Sequence, residues 1–127
     1  MTLADRKDLP VAAILDSRGV HAPRRTTTAL PPQVAPGQIA ITVANGIGDY
    51  RTGDVIWCTI LTAADFPTAL NRDVLVPQPA GQLAFGRLTE CNGNGNVTVL
   101  PPDTGTQSLS IAHPIWIAVA VRLVREL

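Results

Sequence analysis

The segment Ile115-Trp-Ile-Ala-Val-Ala-Val-Arg-Leu-Val124 constrains the fold more than any other. Its odd positions, Ile115, Ile117, Val119, Val121 and Leu123, are all aliphatic. Its even positions, Trp116, Ala118, Ala120, Arg122 and Val124, are apolar for three places and then turn basic. Side chains alternate across a strand with period two, so the odd set predicts a core face. A helix competes, because Ala and Leu are present, but the β-branched Ile115, Ile117, Val119 and Val121 favour a strand. A strand with two apolar faces needs cover on both. A sandwich covers only one face of each sheet. The face carrying Trp116, Ala118 and Ala120 is therefore expected to meet another subunit or the N-terminal part of the chain. A strand in a closed barrel against a helix would also fit, but no long helix is available.

Upstream, the same period recurs. Gln38-Ile-Ala-Ile-Thr-Val-Ala44 alternates, with Ile39, Ile41 and Val43 on one face, and Asn45-Gly46 marks a turn because both residues tolerate positive φ. Asp54 to Thr62 is β-branched and aromatic on both faces and predicts a central strand. Ala63 to Asn71 has room for one helical turn, limited by Pro67, and Asp73 to Val76 predicts a short strand closed by Pro77. Gln82 to Cys91, with Gly86 as a bulge candidate, and Val97 to Leu100 flank Asn92-Gly-Asn-Gly-Asn96, a strong hairpin signal. Pro101 to Gly105 supplies a further turn, and Gln107 to Ala112 alternates weakly. Roughly seven or eight short strands with frequent turns predict an all-β fold, a single sandwich or barrel of jelly-roll type built from antiparallel strands.

Residues 1–37 differ from the rest. Prolines fall at positions 10, 23, 31, 32 and 36, and Arg6, Lys7, Arg18, Arg24 and Arg25 are half of the ten basic residues. Proline fixes φ and biases its predecessor toward extended geometry. This predicts an extended arm with one short strand near Val11 to Leu15, followed by a β domain over 38–127. The cluster Arg24-Arg25-Thr26-Thr27-Thr28 suits either docking on an acidic or backbone-rich surface or a solvated linker.

At 127 residues and 13.4 kDa, the chain can bury a core without staples. Charged residues make up only 16%, so less surface is given to solvated charge than usual. Nine of the ten basic residues are arginine, which is enriched at interfaces where lysine is depleted; a GC-rich genome would produce the same bias. Formal net charge is zero, so nothing global draws the chain to nucleic acid or an anionic membrane. Residues 1–15 lack the uninterrupted apolar run of a signal peptide, and no stretch reaches membrane-helix length, which predicts synthesis in a cytoplasm.

Chemical signatures are sparse. His21 and His113 form no zinc-hydrolase pair. Ser17, Ser108 and Ser110 lack a nucleophile-elbow context. Cys58 lies mid-strand in an apolar run, where a thiol is inert, and Cys91 at a hairpin entrance is slightly more open to chemistry; whether the two pair cannot be read from spacing. Glu90 and Glu126 are the only glutamates, and Asp49 and Asp54 are expected to shape the loop between them. Gly46-Ile-Gly48 and Gly93-Asn-Gly95 read as turns rather than phosphate cradles. No catalytic, cofactor or metal residue is assigned.

The Pro-rich arm at 1–37, the short-strand core, the lysine-poor neutral composition and the two-sided terminal strand together resemble bacteriophage capsid decoration (cement) proteins and head-fibre bases. The resemblance is architectural and covers the whole chain, with no motif matched residue by residue. It implies a non-enzymatic virion protein on the capsid surface, made in the host cytoplasm. It also implies a homotrimer that clamps neighbouring subunits of a major capsid protein, with no nucleic-acid or membrane partner. On that reading Arg18, Arg24 and Arg25 of the arm would contact the capsid, and Trp116, Ala118 and Ala120 would lie near the oligomer axis. A carbohydrate- or receptor-binding β-domain of a tail fibre is the alternative, with Tyr50 as its one loop aromatic.

Overall fold

The computed structural model describes residues 8–103 and 105–127. Arg6 and Lys7 lie outside them. The chain divides into two units, at Ala35 and Pro36.

The first unit is more structured than an extended arm. Its strands are β1 (Leu9–Pro10), β2 (Ile14–Asp16), β3 (Gly19–His21) and β4 (Thr28–Ala29). β1 pairs with β4, and Val11 N–H donates to Thr27 C=O at 2.9 Å. β2 and β3 form a hairpin in which Ile14 faces His21, Leu15 faces Val20 and Asp16 faces Gly19. The reversal is local chemistry. Gly19 takes φ +110°, and Asp16 Oδ1 accepts the Arg18 N–H at 2.9 Å, an Asx-type turn. The expected strand at Val11 to Leu15 thus shifts to Ile14–Asp16 and gains a partner. Proline spacing marks extended chain but carries no information on pairing.

The second unit contains β5 (Gln38–Thr42), β6 (Val55–Leu61), a 3₁₀ segment (Ala63–Ala69), β7 (Asp73–Pro77), β8 (Leu83–Cys91), β9 (Val97–Leu100), β10 (Leu109–Ile111) and β11 (Ile117–Val124). Among the described residues these strands make one seven-stranded antiparallel sheet in the order β10-β9-β8-β7-β11-β6-β5. β11 lies between β7 and β6 and joins the two parts of the sheet.

The sheet buries apolar side chains on both faces. On one, Val74 and Val76 of β7, Leu88 of β8, Val97 and Val99 of β9, and Ile117 and Val119 of β11 cluster with Phe66 and Ala69 of the 3₁₀ segment. Pro67 halts that segment before it becomes a helix, leaving Phe66 as a fully buried plug. Fully burying a side chain of this kind stabilises by about 1.5–3 kcal/mol, an upper figure because the unfolded chain is itself partly collapsed. On the other face, Ile56 and Cys58 of β6 and Ala118 of β11 cluster with Val43, and Ile39, Ile41, Tyr50, Leu75, Phe85, Trp116 and Ala120 pack around them. The chain therefore supplies its own cover for much of the second apolar face.

β11 departs from simple alternation. Ile115 precedes the strand and is 86% exposed, so it is not core. Opposite β6, the register runs from Ile117↔Leu61 to Ala120↔Cys58 and resumes at Arg122↔Trp57, leaving Val121 as a bulge. The bulge swaps the faces beyond it, so Val121 and Leu123 are exposed and Arg122 lies over the Trp57 ring at 5.6 Å. A uniform odd-numbered core face was expected; one inserted residue ends it after Val119.

Gly86 is not the bulge in β8, where the register shifts between Leu88 and Glu90. Its role is steric. A Cβ there would stand 2.2 Å from the Leu100 carbonyl oxygen. Gly93, in the 92–96 hairpin turn, would meet nothing within 4 Å. Gly86→Ala is expected to cost roughly 1–3 kcal/mol, the range for overpacking, and Gly93→Ala much less. Urea unfolding of the two variants measures the difference, and equal losses would contradict this account of β8 against β9.

Candidate functional site

The arm residues marked by sequence come together within the first unit. The β2–β3 hairpin and the chain after it form a cleft of about 580 Å³ lined by Ile14, Arg18, His21, Pro23, Arg24, Arg25 and Thr27 among others. Asp16 is the local counter-charge, at 4.0 Å from the Arg18 guanidinium and 3.4 Å from His21 Nε2. Arg24 and Arg25 are exposed, and among the described residues no ion pair engages them. Guanidinium groups present planar forks suited to carboxylates or other oxyanions. Because strand neighbours alternate, Leu15 and Val20 pair on the opposite side of the hairpin from Ile14 and His21. Leu15 is 77% and Val20 68% exposed, and Leu30 and Val34 nearer the end of the arm are each 76% exposed. The arm thus offers a cationic cleft on one side and an uncovered apolar pair on the other.

The proposed oligomer residues are placed differently from one another. Ala118 is fully buried by its own chain, while Trp116 and Ala120 are partly buried beside it. Arg18, Arg24 and Arg25 belong to the first unit and these three to the second.

In the second unit, Tyr50 stands between two clefts. Its hydroxyl donates to Asp73 Oδ2, and its ring meets Phe85 edge to face at 5.7 Å. Burial, followed by the Asp73 carboxylate that accepts its proton, pushes the phenol well above its ordinary value. One cleft, about 630 Å³, is polar, with Asp49, Asp73, Arg87 and Asp103 around Pro101 and Pro102. The other, about 330 Å³, is lined by Ile41, Val43, Ile47, Ile56, Phe85 and the same prolines.

The loop before β6 is held from a distance. Arg125 Nε donates to Asp54 Oδ1 at 2.8 Å and Arg125 Nη2 to Oδ2 at 2.7 Å, while Nη2 also reaches the Asp49 carbonyl at 3.2 Å. Asp54 Oδ2 accepts the Arg51 N–H at 2.8 Å as well. Sequence reading placed Asp54 in a loop-shaping role. It missed Arg125, which lies 71 residues away and has no local signature.

His113 takes φ +46°, and its N–H donates to Asn96 Oδ1 at 3.1 Å, so its backbone closes a turn. Cys58 is fully buried, and burial pushes its thiol up to about 11. Cys91 packs with the opposite apolar cluster, and both are free thiols. Among the described residues no group of three or more His, Cys, Asp or Glu side chains could hold a metal ion, and no helix is long and apolar enough to cross a membrane.

No protein-family model matches the chain, and none of the curated proteins or solved structures compared with it does so either.

The Arg125 fork and the Arg51 N–H hold the Asp54 carboxyl at about 2, below its ordinary 3.8. A depressed folded-state value means that this pairing stabilises fully above 3.8 and is lost as pH falls from there toward 2. Asp54→Asn is expected to lower the melting temperature at pH 7 and to flatten its decline across this acid window. Circular-dichroism melts of both proteins at neutral and acid pH check this; parallel acid profiles would contradict it.

Proposed function

We propose that this chain is a non-catalytic assembly module, a β-domain whose N-terminal unit docks on a neighbouring subunit. One observation carries the reading: Leu15, Val20, Leu30 and Val34 lie open on an arm whose backbone is already shaped into paired strands. Ordered apolar side chains left in water are costly, and several of them on one shaped segment mark a contact surface. The cationic cleft on the other side of the hairpin adds orientation, since exposed arginine pairs steer and register more than they hold. The charge division agrees. Residues 1–35 carry five basic against three acidic residues, and residues 36–127 carry five against seven, so a basic arm is joined to an acidic domain.

Within this class, the reading is a virion protein on the capsid surface. It would stabilise the shell by clamping adjacent major capsid subunits as a homo-oligomer, made in the host cytoplasm and without nucleic-acid or membrane partners. Contact across a subunit boundary exists only in the assembled shell and stabilises that state by linkage. A jelly-roll-like sandwich, with the sheet folded over its Phe66 side, belongs to the same proposal. The tail-fibre alternative has one observation in its favour. Tyr50 and the polar cleft beside it combine an aromatic with carboxylates and a guanidinium, the residue types that bind sugars. Its ring, however, is already packed on Phe85.

The test is co-sedimentation of the purified chain with emptied shells of the virus that encodes it. Saturable binding is expected for the intact protein. For Leu15→Ser/Val20→Ser, binding is expected to weaken by about tenfold or more, since two apolar contacts of roughly 1 kcal/mol or more each are removed. Shells that bind no protein, or bind the doubly substituted protein at full strength, would overturn the reading.

A further inference from the structure

The apolar cleft beside Tyr50 is an open groove in the second unit. Ile41, Ile47, Tyr50, Phe85, Pro101 and Pro102 of its lining are each only half-buried, so every one of them keeps some surface in water. Tyr50, Pro101 and Pro102 also line the polar cleft, so the two clefts adjoin. Charge in the polar cleft is mainly negative, with Asp49, Asp73 and Asp103 against Arg87. Asp49 and Asp103 are exposed, and among the described residues no ion pair engages them. An apolar groove thus runs beside an acidic one.

The first unit carries a segment of matching chemistry. Leu30-Pro31-Pro32-Gln33-Val34 is exposed at every residue and belongs to no strand. Two consecutive prolines fix φ and hold Leu30 extended, which favours a polyproline-type backbone. Grooves lined by aromatic and proline side chains recognise such segments, because little chain entropy is lost on docking. Arg24 and Arg25 stand just upstream of the segment, exposed and cationic. An arginine pair followed by an extended apolar run therefore complements an acidic cleft beside an apolar groove.

We propose that residues 30–34 of one copy lie in the Tyr50–Phe85 groove of a second copy, with Arg24 and Arg25 set against Asp49 and Asp103 of the adjoining cleft. Leu30 and Val34 supply the apolar contacts, and the guanidinium forks meet the carboxylates. The inference rests on the reading of the arm as a docking element and divides its surface in two. The hairpin face with Leu15 and Val20 is left for the shell, and residues 30–34 go to the copy alongside. Every copy carries both the segment and the groove, so the arms are exchanged in pairs or passed around a closed ring. A basic arm on an acidic domain also disfavours the competing contacts, arm on arm and domain on domain, by like-charge repulsion.

Sedimentation equilibrium of the full chain across a concentration series tests it, with circular dichroism to confirm folding. The wild type is expected to rise with concentration beyond single-chain mass. Leu30→Ser/Val34→Ser is expected to weaken self-association by about tenfold or more, since two apolar contacts are lost. Arg24→Glu/Arg25→Glu and Asp49→Lys/Asp103→Lys each set like charges together, and each protein alone is expected to stay near single-chain mass. Mixed in equal amounts, these two proteins oppose unlike charges again and are expected to regain the higher mass. All six substituted side chains are exposed, so folding is expected to survive. Leu15→Ser/Val20→Ser is expected to keep the wild-type mass while losing shell binding. A wild type that stays at single-chain mass up to its solubility limit overturns the inference, as does a charge-reversed mixture that stays there. If Leu15→Ser/Val20→Ser alone lowers the mass, self-association runs through the hairpin; the groove contact is then wrong while the assembly reading stands.

Discussion

β11 must be covered on both faces, and most of the second unit follows from that requirement. It lies between β7 and β6, with Ile117 and Val119 in one apolar cluster and Ala118 in the other. Each face recruits a different part of the chain. Phe66 and Ala69 of the 3₁₀ segment join β7 to β10 on the first, and Val43 and Tyr50 join β5 and β6 on the second. The Asp54–Arg125 pair then fixes the segment that carries Tyr50 to the end of β11. Such a pair, a buried Asp54 carboxylate forked by a half-buried Arg125, is best understood as a geometric constraint, because desolvating a charge offsets much of what its pairing gains.

This arrangement changes what supports assembly. From sequence, the second face of β11 had no cover within a two-layer domain, and Trp116, Ala118 and Ala120 carried the expectation of an oligomer. The chain covers Ala118 completely and Trp116 in part. Exposed apolar side chains are concentrated elsewhere, in the arm. They are an apolar cost to the isolated chain.

Much of the sheet was legible in the sequence because it rests on local signals. Asn92 to Asn96 marks its hairpin through short polar residues, and Asn92 Oδ1 does accept the N–H groups of Asn94 and Asn96. The β-branched run at β6 and the effect of Pro67 are equally local. What was missed is non-local or depends on one residue. The Val121 bulge leaves the alternating pattern intact in sequence while reversing it in space. The position of β11 between β7 and β6 has no sequence marker, and neither does the reach of Arg125 to Asp54. In the candidate site, the arginines of the arm were identified, but the hairpin that gathers Arg18 with Arg24 and Arg25 was not, since its strands are only three residues long.

The central claim is that the second unit buries its own core on both faces of β11 while Leu15, Val20 and Leu30 of the arm stand exposed. Residue-resolved amide hydrogen exchange on dilute protein measures this directly. Amides of β7 and β11 in the shared ladder, such as Val119, are predicted to exchange only through global unfolding, while those of Leu15, Val20 and Leu30 exchange near the unprotected rate. Protection of the arm amides to the level of β11 in the dilute single chain would contradict the account.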